Sequence, residues 1–506
     1  MIAKDTTPTG ANTGSRERWV VLFLCALAAV HVFVYSAAFP FFGPVDEIYH
    51  FDLMVKYSQA GIPPNLKPLS EQSMPHILPN FSLEYSCKPE DLPDGKYPQP
   101  LRTQPEGGDE EFVRTFASVF STFRNHEAMQ PPLYYFITAA CWKVTRALQV
   151  DGPGLLFGIR FLNMLFVAMV VWLGHVAARI LFPERRFVRL GVPAMLAFLP
   201  QRAFYAIEND VLSPLCFGAV FVCLVRWLST DKLSFRLAVG TGLALAATVL
   251  AKLSNLPLLA VATTAIVFQA WKMAREGALR TAWPALALLA ACASLPPAAW
   301  LMWNKIHFGY YTAAAGSIQS LDFTYKPFNE WWHHPIFTPA GFWTFISELI
   351  GTFWQGEMTW HGQSLVPTGL NILYTILTVG LAGTALAGLL SRSSTLNQVQ
   401  RRSLWLSLAC LLAALVFLAF LSIIYDFHEC RLPSRAHPYF ACGRLALGAA
   451  IPFMIVLLVG LDFAFSKTTV RWVGNLVLPA LIGLMLIAEA ITNWPVFFSQ
   501  YNWYHL

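Results

Sequence analysis

Past the first long apolar segment, the run Pro44-Val45-Asp46-Glu47-Ile48-Tyr49-His50 sets two carboxylates and an imidazole at the edge of a hydrophobic stretch. Asp52 follows closely. If the segment is helical, Asp46 and His50 lie four residues apart and share one face. A carboxylate and an imidazole placed together suit proton transfer or metal ligation. A helix cap needs only one carboxylate, and Asp46-Glu-Ile-Tyr-His-Phe-Asp carries three acids. We read Asp46 as a catalytic base or metal ligand, with Glu47 and His50 beside it.

Further ionisable groups stand at the edges of other apolar runs, where they are costly to hold and so are functional candidates. Asp210, in Glu208-Asn209-Asp210, is a second acid. Lys252 closes the run Ala247 to Leu250; it either snorkels to the head groups or binds an anionic one. Arg444 sits just inside a long apolar segment, where a guanidinium needs an anionic partner such as a phosphate. His126, ahead of Gln130-Pro131-Pro132, and the Glu357 to His361 stretch complete the set.

These residues must be positioned by membrane helices. The chain has 506 residues, of which 56% are hydrophobic and 13% charged, against about 25% charged in soluble proteins. Apolar stretches of about twenty residues recur, the length that crosses roughly 30 Å of hydrocarbon. The expected fold is an all-α polytopic membrane protein of about 11 transmembrane helices, near 19–39, 157–182, 190–207, 210–228, 236–253, 255–271, 281–303, 366–390, 403–425, 443–464 and 472–492. The net charge of +6 is scattered among short loops and points to no nucleic-acid partner. The basic clusters around Arg16, Arg185, Arg226, Lys272, Arg401 and Lys467 all fall inside on one threading, with the N-terminus inside and the C-terminus outside. That threading requires Pro131 to Val150 to lie at the surface or re-enter rather than cross. It divides the chain into a cytoplasmic tail (1–18), a transmembrane module (19–303) whose first outer loop (40–155) carries the candidate site, an outer loop (304–365) and the C-terminal helices (366–506). All the polar motifs then meet the outer face. The first apolar run lacks a cleavage site and is read as a span. Among the nine cysteines, Cys430 and Cys442 fall outside, where a disulfide can persist; their spacing with His428 and His437 matches no zinc pattern.

In order along the chain, these motifs resemble the GT-C class of integral-membrane glycosyltransferases: an acidic pair after the first span, a proline pair before an aromatic helix, Asn209-Asp210, and Gly443-Arg444 opening a late span. The likeness is greatest to a bacterial branch of predicted membrane proteins with a Pro-Asp-Glu-x-x-His-Phe-like signature, here Pro44 to Phe51 with Val45 inserted. Phe353-Trp354-Gln355-Gly356 to Trp360-His361-Gly362 is similar to that branch's loop before a late span. Gly443-Arg444-Leu445 matches its Gly-Arg-Tyr-Leu without the Tyr. The resemblance implies sugar transfer from a lipid-linked, polyprenyl-phosphate donor to a lipid, glycan or protein acceptor on the outer face of a bacterial plasma membrane. It implies Asp46 as base or metal ligand, Glu47 or Asp210 as a second acid, and Lys252 and Arg444 on the phosphate. His50 would orient the acid or join Asp46 in holding a divalent metal, and His126, Glu357 and His361 would bind substrate. A transporter or flippase of lipid-linked saccharide would instead need ionisable groups at mid-membrane depth. A polysaccharide ligase or polymerase would carry its chemistry in a late loop.

Overall fold

An apolar run in a bilayer finds no water for its backbone, so it closes its hydrogen bonds within a helix. The computed structural model of the chain describes residues 11–43, 46–63, 67–103, 114, 117–118, 122, 125–230, 232–312, 323–392, 395–428, 433–466 and 471–506. Pro44, Val45 and Cys430 lie outside the described residues, and with them the start of the first-loop signature and the expected cysteine pair. The longer helices are α1 (Ala11–Ala38), α2 (Glu47–Ala60), α3 (Leu133–Ala147), α4 (Gly152–Leu181), α5 (Arg186–Ala197), α6 (Leu212–Thr230), α7 (Phe235–Ala251), α8 (Leu256–Arg275), α9 (Leu279–Phe308), α10 (Pro339–Gln355), α11 (Thr368–Leu390), α12 (Gln398–Ile424), α13 (Ala450–Ser466) and α14 (Arg471–Asn493). Sheet among the described residues is limited to two antiparallel two-residue ladders, Thr324–Tyr325 with Tyr425–Asp426 and Thr359–Trp360 with Gln363–Ser364.

The protein is an all-α, multi-pass membrane protein. Among the described residues, nine helical segments are long and apolar enough to cross a membrane. They coincide with nine of the eleven spans expected from sequence. The other two fold as shorter helices, α5 and α7. The expected span 190–207 stops at Ala197 because Pro200 cannot continue a helix. The chain then turns through Arg202–Tyr205, where the Gln201 side chain donates to the carbonyls of Thr352 and Phe353.

The stretch around α13 is the centre of the bundle. In its most apolar window 83% of residues are buried, against 22–28% for those of α8, α9, α11 and α14. A helix apolar on all sides belongs in a core, and α13 packs against α5, α6, α11 and α12. Phe268, Trp283, Leu295 and Leu412 are exposed on the outer helices, as lipid-facing residues would be.

Ion pairs identify the two ends of the bundle. At the basic end, Arg189 pairs with Glu17 at 2.6 Å and Arg185 with Asp462 at 2.6 Å. At the other end Asp46 and Arg444 meet, so the first loop and the start of the α13 span share one membrane face. Helix α3 has both ends near that face. Its Tyr135 touches His50, and its Thr145 lies 3.5 Å from where a Cβ on Gly158 of α4 would stand. It therefore does not cross, as the threading required.

The first loop is tied down by a buried ion pair. Glu47 and Arg160 are wholly buried. Arg160 Nε and Nη2 donate to the two Glu47 oxygens at 2.8 and 2.7 Å. Its remaining N–H groups reach the carbonyls of Ser36, Phe39 and Pro40. Glu47 also accepts from the backbone N–H of Phe42 and of Ile207. Every donor of the guanidinium is used, which makes such a burial tolerable. Asp52 anchors the same loop further along. It accepts from Ser70 N, Ser73 Oγ and Asn125 Nδ2 and pairs with Lys56.

Removing one partner leaves a bare buried charge. Glu47→Ala should therefore cost about 3–5 kcal/mol, whereas Glu47→Ala with Arg160→Met should cost less than that single change. Thermal unfolding in detergent measures both, and an additive double variant would contradict the pairing.

Candidate active site

Five chain segments bring charge to one place at this membrane face. Asp46 precedes α2 with φ +67°, a left-handed conformation that Asp tolerates better than most residues. Its side chain makes no capping hydrogen bond. One oxygen lies 3.1 Å from Arg444 Nη2 and the other 3.6 Å from His126 Nε2. The expected Asp46–His50 face does not form, because Asp46 stands outside the helix in a different backbone conformation. His50 is buried and turns Nδ1 to the Tyr135 hydroxyl at 2.7 Å.

Arg444 is the hub. Its Nη1 lies 3.3 Å from Asp210 Oδ2 and 3.5 Å from Glu208 Oε2. Lys252, in extended backbone just past α7, shares Asp210 Oδ2 at 2.5 Å. Arg444 is placed by the turn Gly443–Ala449, which docks on α10: Thr352 Oγ1 donates to Ala441 O and accepts from Gly443 N. A Cβ at Gly443 would stand 2.0 Å from the Phe353 nitrogen, so the close approach requires glycine. Arg444 Nε and Asp210 Oδ1 are among the atoms buried here without a hydrogen-bond partner among the described residues, as is Glu357 Oε1. Such orphans call for a missing partner.

His126 is held by Asn125, whose Nδ2 donates to Tyr49 O and Asp52 while its oxygen caps Glu127 N. Its Nε2 lies 3.3 Å from Glu127 Oε1. Asp46, His126 and Glu127 offer ligand atoms all within 4.8 Å of one another. Glu127 Oε2 has no hydrogen-bond partner among the described residues. Two carboxylates and an imidazole suit Zn²⁺ or Mn²⁺. This grouping replaces the Asp46–His50 pair expected from sequence.

Electrostatics separates the acids. Burial pushes the Asp46 carboxyl up, but the His126 hydrogen bond and the charges of Arg444, His126 and His50 outweigh it and hold the group well below its ordinary range. His126 is drawn up to about 10: burial opposes its charge, and the hydrogen bonds and charges of Asp46 and Glu127 overcome it. Glu208 is pushed up to about 8, mainly by burial with Asp210 and Asp46 adding, against Arg444 and Lys252. Burial also raises Glu357, which bonds to Cys442 and lies within the field of Arg444. Asp46 is the most open of the three acids on Arg444, its side chain 26% exposed against 4% for Glu208 and none for Asp210. A ligand therefore meets Asp46 first.

Of the residues read from sequence, Asp46, Asp210, Lys252, His126 and Arg444 come together, with Glu357 beside them. Glu47 does not: its oxygens are taken by Arg160 and two backbone amides. His361 does not either. It turns the Thr359–Ser364 hairpin at φ +52°, stacks between Tyr97 and Trp360 and donates its backbone N–H to Glu84 O. Sequence reasoning missed Glu127 and Arg160, and did not single out Glu208.

A lateral groove of about 770 Å³ opens between α6, α8 and α12. It is lined by apolar residues such as Val261, Phe268, Trp405, Val416 and Phe420, with Arg402 at its basic end. From Arg402 to Phe420 it follows α12 for about 27 Å, close to the thickness of the hydrocarbon.

No family model and no curated protein matches the chain. Similar solved structures include the archaeal oligosaccharyltransferase AglB from Archaeoglobus fulgidus in complex with an inhibitory peptide and a dolichol-phosphate. It shows 12% identity and a TM-score of 0.42, over 96% of this chain and 56% of that one. ArnT from Cupriavidus metallidurans bound to undecaprenyl phosphate shows 14% identity and a TM-score of 0.35, over 88% and 77%. The chain thus spans little more than half the length of AglB.

Metal binding at Asp46, His126 and Glu127 must displace the His126 proton. Affinity for Mn²⁺ should therefore rise about tenfold per pH unit between pH 6 and 8, since that proton is held up to about 10. Glu127→Gln should weaken it at least about tenfold. Calorimetric titration of the chelator-treated protein tests both; a pH-independent affinity would exclude His126 as a ligand.

Proposed function

We propose that the protein is a GT-C-like membrane glycosyltransferase. It transfers a sugar from a polyprenyl-phosphate donor to an acceptor at the outer membrane face, with inversion. The observation that carries this reading is the convergence of Asp46, Asp210, Lys252 and Arg444 from separate helix ends at one membrane face, with Asp46 open to approach. The lateral apolar groove supports a lipid-linked donor, because it offers a hydrocarbon chain a path along the bilayer.

In the proposed reaction the acceptor hydroxyl hydrogen-bonds to Asp46. As its oxygen attacks the anomeric carbon, the bond from that carbon to the phosphate oxygen breaks, and the polyprenyl phosphate leaves with the electron pair. The hydroxyl proton passes to Asp46. Asp46 is a weak base in the resting cluster, so the transfer comes late, when the oxygen already carries positive charge. Arg444 and Lys252 hold the departing phosphate, and the unpartnered Arg444 Nε is a donor ready for it. Asp210 keeps both cations in place. A divalent ion, when held by Asp46, His126 and Glu127, would supply further positive charge at the reacting centre. The gathering of ionisable groups at one membrane face favours this reading over a transporter or flippase. The early-loop position of Asp46 favours it over a ligase or polymerase.

Asp46→Asn, at normal membrane levels, should lose at least about 100-fold in transfer from a radiolabelled polyprenyl-phosphate sugar. Arg444→Ala should lose at least as much. Full activity in the first variant removes the base, and in the second the phosphate clamp.

A further inference from the structure

The hub cation is already engaged before any donor arrives. Arg444 faces Asp46 from the first loop, Glu208 and Asp210 from the segment before α6, and, within its field, Glu357 from the loop after α10. Lys252, from the end of α7, is bound to Asp210. Behind Asp46 stand His126, Glu127 and Tyr49, Tyr134 of α3 faces Glu208, and His50 and Cys442 lie in the same surroundings. An anionic phosphate brought to this guanidinium meets three carboxyl groups within 3.5 Å of it. Like charges crowded around one cation cannot all remain ionised.

The three are not equally able to yield. Asp46 is balanced by His126 as well as by Arg444, and Asp210 by Lys252. Glu208 has a salt bridge to Arg444 alone among the described residues, at 3.5 Å the longest of the three contacts, and Lys252 acts on it only through its field. It is also almost wholly buried, so water cannot stabilise its charge once the guanidinium turns to another anion.

We infer that Glu208 and the donor phosphate compete for Arg444 Nη1, so that the phosphate binds with Glu208 protonated. The inference rests on the phosphate-donor reading of this site. It makes Glu208 a binding-linked residue that neither accepts the acceptor's proton nor touches the sugar. The sign follows from a carboxyl already held up to about 8. Below that pH Glu208 is neutral and leaves Nη1 to the phosphate. Above it the carboxylate competes, and binding must be accompanied by proton uptake.

The test uses the full-length protein in lipid nanodiscs and a short-chain polyprenyl monophosphate as probe. The second ionisation of a phosphate monoester lies near pH 6, so the probe is dianionic throughout the range pH 7 to 9. In the unaltered protein Kd should rise about tenfold from pH 7 to pH 9. Glu208→Gln should hold the change below about twofold, while Glu357→Gln keeps the full rise. Calorimetry of the unaltered protein at pH 9 in buffers of different ionisation enthalpy should find close to one proton taken up per phosphate, a readout that needs no variant. A flat pH profile, an unchanged rise in Glu208→Gln, or binding without proton uptake would overturn the inference while leaving the donor reading intact. Absence of probe binding at every pH would overturn the donor reading, and the inference with it.

Discussion

A guanidinium at the head of a membrane-spanning segment must find negative charge, and Arg444 finds it on two other chain segments at once. That requirement organises this end of the bundle. It draws the first loop to the start of the α13 span through Asp46, and the segment before α6 through Glu208 and Asp210. Lys252 then joins through Asp210. Sequence-distant segments are locked together by charges that the surrounding apolar medium would not tolerate alone. The same arrangement yields a concentration of donors and acceptors able to handle a phosphate and a hydroxyl.

The first loop shows how two adjacent carboxylates acquire different roles. Asp46 sits in a left-handed backbone conformation and Glu47 opens the helix that follows. The reversal at Asp46 turns its side chain toward Arg444 and His126, while Glu47 turns into the protein onto Arg160. Glu47 also accepts from Ile207 N, the residue just before Glu208. One buried carboxylate thereby fixes both the loop that carries Asp46 and the segment that carries Glu208 and Asp210. The buried Glu47–Arg160 pair fixes the residue next to Asp46, and over-determined surroundings of this kind are what sustain an uncommon backbone conformation.

Much of this was legible in the sequence, for a physical reason. The bilayer imposes a length and a composition on each crossing helix, so nine segments could be read directly, and the charge bias of the loops put the polar motifs on one face. Arg444, Lys252, Asp210 and Asp46 stood out because ions at apolar boundaries are expensive. What stayed hidden were the partners. A carboxylate in a sequence does not show whether it meets a cation, so Glu47 read like Asp46 although Arg160 consumes it from 113 positions away. Arg160 itself left a signal, a charge near the start of the apolar run of α4, far from Arg179 at its other end. The four-residue spacing of Asp46 and His50 misled because it presumed a helix at Asp46. His361 looked like a ligand and is a stacked hairpin residue, a distinction that depends on Tyr97, far away in the chain.

On the proposed reading, the cluster also accounts for how a carboxylate held as far below its ordinary range as Asp46 could serve as the base. A free carboxylate at an apolar boundary would bind a proton and lose its charge; here His126 and Arg444 keep it ionised. The cost is low basicity at rest, which favours a reaction whose transition state is itself cationic. An oxocarbenium-like sugar makes the attacking hydroxyl acidic as the new bond forms, so proton transfer then needs no strong base. On the proposed reading the same positive surroundings that depress Asp46 would stabilise the leaving phosphate, and a phosphate that replaces Glu208 at Arg444 Nη1 would offset part of the charge that weakens Asp46. Donor binding would therefore raise the basicity of Asp46 at the step that uses it, which couples the occupation of the phosphate site to the readiness of the base.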